Sequence, residues 1–230
     1  MKEPDTFNYR FLEQDQRIEI YRSHLPHWRQ EGAVYYVTFR LADSIPGSVL
    51  RQWTEADAVW RAAHGITPEM SETEQAARYA RIPENLRQVF ERDQHRRLHV
   101  ELDRCHGACP LRNPAAAQQV AGALHFHHGT RLHCGDFVVM PNHVHWVVVP
   151  YPDNKLQIVC GSVKQYSATQ INRLTGRTGR LWQHENFDHA VRNAGELQRI
   201  RDYIHNNPQK AHLSQGDYVY HKADWILDER

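Results

Sequence analysis

His143-Val144-His145 is the first arrangement in the chain able to do chemistry. It opens a β-branched, apolar stretch, and in a strand alternate side chains share a face. Both imidazoles therefore point one way and Val144 the other, a two-ligand claw for a divalent ion. Two histidines on the outside of a hairpin can also be inert. Here residues 137–140 and 146–149 are so apolar that the strand belongs in the middle of a sheet. Rings without partners beside such a core would cost on the order of 1–3 kcal/mol each. Two imidazoles hold a metal weakly, so a further oxygen or nitrogen ligand is needed. Tyr203 and Asn207 stand four residues apart in a helical pattern and share a face, so a phenol and an amide oxygen can reach one site together. Spacing alone also allows a packing tyrosine and a helix-terminal cap before Pro208. Tyr166 and Gln170 repeat the same phenol-to-amide spacing, and periodicity does not choose between the pairs. Tyr166 falls on an apolar stripe with Val163 and Leu174, which reads as core.

These side chains need a scaffold. Residues 33–41, Ala-Val-Tyr-Tyr-Val-Thr-Phe-Arg-Leu, are β-branched and aromatic and lead into Asp43-Ser44-Ile45-Pro46-Gly47, a strand followed by a turn. Helical periodicity runs over 48–63 and again over about 73–103, with Pro83 as a break point. The Arg-rich run 92–104 also carries Glu91, Asp93, Glu101 and Asp103, so it reads as a solvated helix with internal ion pairs. A helix over 114–127 follows, with Asn113 as N-cap and Pro114 in its first turn. Strands are expected over 131–140 and 143–149, joined at Pro141-Asn142. A helix over 155–174 ends at Gly176, residues 185–192 suggest a fourth strand, and a last helix runs from Gly195 to about Asn207, stopped by Pro208. This order predicts an α+β protein: a split β-α-β (ferredoxin/RRM-like) antiparallel sheet with helices on one face and a helical insertion after the first strand. The expected organisation is one domain over 1–230, with an N-terminal arm at 1–30 and the insertion at about 54–112.

Composition narrows the classes. The 230 residues are 40% hydrophobic and 24% charged, enough to bury roughly 70% of the unfolded surface. A net charge of +1 provides no global attraction for polyanions, so any nucleic-acid site must be local. Apolar runs are far shorter than the ~20 residues a membrane span needs, and the N-terminus has no signal-peptide core. The expected compartment is the cytoplasm. Cys105, Cys109, Cys134 and Cys160 form no disulfide framework, and the Cys105/Cys109 pair has no second pair to complete a zinc site. Residues 155–180 carry Lys155, Lys164, Arg173, Arg177 and Arg180 without one Asp or Glu, the best candidate for phosphate contacts. Trp182, close by, is a candidate to stack on an unpaired base, although a tryptophan there also suits a core.

Three stretches together carry a resemblance: Met140-Pro141-Asn142-His143-Val144-His145; Leu181-Trp182-Gln183 with Phe187-Asp188; and Tyr203-Ile204-His205-Asn206-Asn207-Pro208 with Lys210-Ala211. They resemble the REP-associated tyrosine transposases, within the single-tyrosine His-hydrophobe-His transposases. The resemblance covers the first strand and most of 131–213. It implies that His143, His145 and Asn207 bind a divalent ion, Mg²⁺ or Mn²⁺, and that Tyr203 attacks DNA to leave a 5′-phosphotyrosine and a free 3′-OH. Asn207 departs from relatives among insertion-sequence transposases, which use glutamine. The covalent bond would retain the energy for rejoining, and no Walker-type glycine loop for ATP occurs. The implied partner is single-stranded DNA folded into REP palindromic hairpins, which places the protein with the nucleoid. A monomer and a homodimer both remain open. Two other classes stay in view: a hairpin-binding protein of the same fold without chemistry, and a zinc hydrolase using His143, His145 and Cys134.

Overall fold

The β-rich part of the chain is built on strands that are apolar on both sides, which dictates a covered sheet. The computed structural model describes residues 9–13, 19–22 and 26–226. Its strands are β1 (Glu19–Arg22), β2 (Pro26–Arg29), β3 (Tyr35–Arg40), β4 (Leu132–Val139), β5 (His143–Pro150), β6 (Phe187–Ala190) and β7 (Val219–His221). Its α-helices are α1 (Gly47–Ala63), α2 (Glu72–Ala80), α3 (Glu84–Asp103), α4 (Pro114–His125), α5 (Leu156–Thr175) and α6 (Ala194–Lys210). β1 and β2 form a separate antiparallel hairpin, inside the stretch expected to be an arm.

The main sheet has the order β6-β3-β5-β4-β7 and is antiparallel throughout. The path β3-α4-β4-β5-α5-β6 is the split β-α-β arrangement, and β7 extends the edge beside β4. On one face α4 and α5 set Val120, Leu124, Val159, Val163 and Ile171 against Val37, Phe39, Phe137, Trp146 and Val148. On the other, α6 sets Leu197 and Ile204 against Val34, Tyr36, Val138, Val147 and Val149. The expectation of helices on one face therefore holds for α4 and α5, while α6 lies on the opposite side. β5 is buried along its whole length, so both of its faces need cover.

Local signals act as expected at several ends. Asn113 accepts from the Ala115 amide at 2.9 Å, Pro114 starts α4, and Gly176 closes α5 at φ 67° in the left-handed region. Pro208 does not stop α6, which runs on to Lys210. A proline in the last turn removes only its own amide, and the Ala211 amide still reaches the Asn207 carbonyl at 3.1 Å.

The chain divides into two compact units, residues 45–107 and the remainder. In the 45–107 unit, Trp60 of α1 stacks on Phe90 of α3 with centroids 3.9 Å apart, and Asp57 receives Gln94 at 2.8 Å and pairs with Arg97. Along α3, Arg96 pairs with Asp93 and Arg104 with Glu101 three residues apart, as the mixed charges of that run predict.

Candidate active site

The pairing register aims both histidines. Arg40 lies opposite His143, Thr38 opposite His145, and Val138 opposite His145 on the other side. Directly opposed residues project from the same face, which puts His143, His145, Thr38, Tyr36 and Arg40 under α6. His143 and His145 are fully buried, and their Nε2 atoms face each other at 3.0 Å.

The outer nitrogens are held. His143 Nδ1 lies 2.8 Å from Asn142 Oδ1, and since a carbonyl oxygen only accepts, Nδ1 is the donor and Nε2 the acceptor nitrogen that faces His145. His145 Nδ1 meets the Tyr36 hydroxyl at 2.8 Å and Thr38 Oγ1 at 2.9 Å. Such contacts set tautomer and ring orientation in metal-bound histidines. Burial pushes the His143 imidazole down to about 3, so the ring is neutral at physiological pH. Two imidazole nitrogens at this separation can serve one cation as adjacent ligands.

α6 brings the other two residues. The Tyr203 ring packs edge-on against His145 with centroids 5.1 Å apart, and the Lys210 ammonium lies 5.0 Å from its centroid. One turn beyond, Asn207 is fully buried, and neither amide atom has a hydrogen-bond partner among the described residues. An orphaned buried amide costs about 1–3 kcal/mol per group, a cost that a bound ion would relieve through Oδ1. The donor set of two imidazoles and an amide therefore fits a divalent metal. Among the described residues there is no group of three or more His, Cys, Asp or Glu side chains able to hold one.

α6 is anchored by a bulge. Between Cys134 and Phe137 the β4 register slips against β5, and a Cβ on Gly135 would lie 2.7 Å from the Val147 carbonyl oxygen, so only glycine fits. The bulge delivers Asp136 to the α6 side, where it accepts from Arg201 Nε at 2.9 Å and from the Ala223 amide at 2.9 Å. Arg201 and Asp136 side chains are 4% and 2% exposed.

Several expected residues lie elsewhere. Tyr166 is 52% exposed and Leu174 49%, so neither belongs to a core stripe. The buried stripe of α5 runs instead through Leu156, Val159, Cys160, Val163, Ser167 and Ile171. Tyr166 is thus separated from the imidazole pair by the sheet. Trp182 is a core residue, with Nε1 donating to Ser167 Oγ at 3.0 Å and its ring edge-on to Phe39 at 4.9 Å, so it is not available to stack on a base. Lys164 Nζ donates to the His184 carbonyl at 2.7 Å and to Asn186 Oδ1 at 2.8 Å, and burial pushes it down to about 8. Lys155, Arg173 and Arg180 are exposed, and Arg177 is half-buried. Cys134 receives Trp146 Nε1 at 3.3 Å on the α4/α5 face, which removes it from the histidines and with it the zinc-hydrolase donor set. Arg40, which sequence reasoning passed over, stands beside His143. Its only sequence signal is a position at a strand end, two residues beyond Thr38 on the same face.

Residues 125–207, from the end of α4 to Asn207, match the sequence model of the family "Transposase IS200 like". This segment contains His143, His145, Tyr203 and Asn207. Among solved structures, a REP-associated tyrosine transposase bound to a REP hairpin is similar at 15% identity and a TM-score of 0.45, over 84% of this chain and 77% of that one. No curated protein matches the sequence. No helix among the described residues is long and apolar enough to cross a membrane.

Proposed function

We propose that the protein is a DNA strand transferase that cuts and rejoins single-stranded DNA through Tyr203, on REP-type palindromic hairpins. The observation that carries this reading is the pair of Nε2 atoms 3.0 Å apart, with the Tyr203 ring packed edge-on against the His145 ring. In this reading 1–230 acts as one transposase domain, with residues about 54–112 as an insertion and 1–30 as an arm. The motif resemblance supports the choice of REP hairpins.

His143, His145 and Asn207 would hold the divalent ion, Mg²⁺ or Mn²⁺, which when bound supplies positive charge against a nonbridging phosphate oxygen. Asn142, Tyr36 and Thr38 fix the two rings so that both Nε2 atoms serve one point. α6 presents Tyr203 beside that point. Its Oη attacks phosphorus in line, its proton passes to solvent, a Tyr–O–P bond forms at the 5′ side, and O3′ departs and is protonated to a free 3′-OH. A 3′-OH returning along the same line reverses the step and restores the phenol. Lys155, Lys164, Arg173, Arg177 and Arg180 belong to the α5 layer and the loop after it, so contacts from them would reach DNA away from the scissile phosphate.

Incubating a labelled REP-type hairpin with Mn²⁺ and the protein tests this. A covalent protein–DNA adduct should form, vanish in Tyr203→Phe and persist in Tyr166→Phe. Tight binding without an adduct in the unsubstituted protein would instead support a hairpin-binding protein that performs no chemistry. An adduct that survives Tyr203→Phe would refute the assignment of the nucleophile.

A further inference from the structure

Arg40 is a cation on the site face with no counter-ion among the described residues. It is the register partner of His143 and, being two residues beyond Thr38, projects to the same side of β3 as the residue that touches His145 Nδ1. Its Nη1 donates to Ser44 Oγ at 3.2 Å and to the Leu41 carbonyl at 3.4 Å. Those bonds occupy one nitrogen and hold the guanidinium in place. Nε and Nη2, with three N–H groups, make no hydrogen bond, and no carboxylate pairs with the guanidinium, among the described residues. The side chain is half-buried, and that burial pushes its pKa down from the ordinary arginine value, though a guanidinium stays charged in a protein. A charge taken partly out of water is normally paired, because desolvation costs several kcal/mol otherwise. A neighbour fits the same pattern: the buried Asn207 amide has no hydrogen-bond partner among the described residues. A cation beside that ion site, with a planar fork of donors, has the shape of a phosphate clamp.

We infer that Arg40 binds the scissile phosphate of single-stranded DNA next to the His143–His145 pair, its Nε and Nη2 donating to a nonbridging oxygen. This rests on the function proposed above, and it adds a substrate contact from β3, which lies outside the segment matched to the transposase family. Ser44 is the positioning residue that keeps Nη1 turned back toward the strand end. The geometry makes Arg40 a binding residue for the ground state and for the attacked phosphate alike, since the charge it meets is already present on the diester.

Binding can be separated from chemistry in a Tyr203→Phe background, by fluorescence anisotropy of a labelled single-stranded hairpin across a salt series with Mg²⁺. One lost phosphate contact lowers the slope of log K against log salt by roughly 0.7 on a single strand. Arg40→Gln should show that loss of slope together with about tenfold weaker binding at low salt. Arg40→Lys should restore the slope but only part of the affinity, because a point charge cannot form the fork. Ser44→Ala should leave the slope unchanged. Thermal melting identifies any variant that has lost its fold, and Arg40→Lys then decides the matter. An Arg40→Gln protein that melts normally and keeps the parental slope and affinity would overturn the inference. If the unsubstituted protein forms no adduct while Arg40→Gln still loses slope, the catalytic reading fails and the phosphate contact stands.

Discussion

Replacing Arg201 by methionine tests how α6 is held over the histidines. Arg201 and Asp136 are almost wholly buried, with a 2.9 Å bond between Nε and Oδ2. The substitution replaces the apolar stem of the side chain with one of similar bulk and removes its guanidinium and charge. Asp136 then remains as a buried carboxylate with one amide, that of Ala223, as its remaining partner of the two. Stranding one member of a buried pair costs about 3–5 kcal/mol. For a protein of this size each kcal/mol corresponds to roughly 2–4 °C in Tm, so the loss should be about 6–20 °C. Adding Asp136→Asn removes the stranded charge and keeps an oxygen for the Ala223 amide. The double variant should therefore recover most of the stability, as buried ion pairs replaced together often do. Differential scanning calorimetry of the parent, Arg201→Met and Asp136→Asn/Arg201→Met reads the cycle directly. A single variant melting within about 2 °C of the parent, or a double variant no better than the single, would show that this pair does not bear on the stability of the fold.

Metal dependence gives a second test. Mn²⁺ at about a hundred times its Kd should stabilise the parent by about 2.7 kcal/mol, and His143→Ala or His145→Ala should abolish that gain in a melting experiment. Asn142→Ala, which removes the acceptor for His143 Nδ1, should weaken Mn²⁺ binding by roughly 10–100-fold as titrated by the spectroscopy of free Mn²⁺. Lys164 carries a pH signature. Its folded pKa of about 8 lies below that of an exposed lysine, so the unfolded chain binds the extra proton between the two values. Its contribution to stability should therefore rise with pH above about 8 and level off near the free lysine value of about 10.4, and Lys164→Met should lack that rise in pH-dependent melts. Trp182→Phe should lower the Tm through the lost bond to Ser167 and the smaller ring, while leaving the salt slope of DNA binding unchanged; a changed slope would restore Trp182 to the DNA interface.

What could be read in the chain was what depends on local spacing. The period-two alternation at His143 and His145, the cap at Asn113, the glycine stop at Gly176 and the order of strands and helices all follow from neighbouring residues. What could not be read depends on which layer an element joins. On α5 both Tyr166 and Ser167 are within one turn of Val163, and the helix axis brings Ser167, four residues on, to the sheet. The polar residue is buried because Trp182 offers it a donor, an interaction fifteen residues away that periodicity does not contain. Arg40 likewise looks like any arginine closing a strand, and acquires a meaning only when the register sets His143 opposite.

Asp136 and Asn207 show how two kinds of buried polar group differ. Both are hidden under or within α6. Asp136 has its charge met by Arg201 and its other oxygen by a backbone amide, so it fixes the fold and calls for no ligand. Asn207 has neither among the described residues. Fold stability alone gives no reason for a polar amide there, since an apolar residue of similar volume would remove the desolvation penalty. The same reasoning applies to Nε and Nη2 of Arg40, which make no hydrogen bond among the described residues. Arg40 and His143 stand opposite each other at one end of the β3–β5 pair, on the face that α6 covers. Both Asp136 oxygens thus have partners on the bulge side of α6, while on the histidine side the Asn207 amide has none among the described residues.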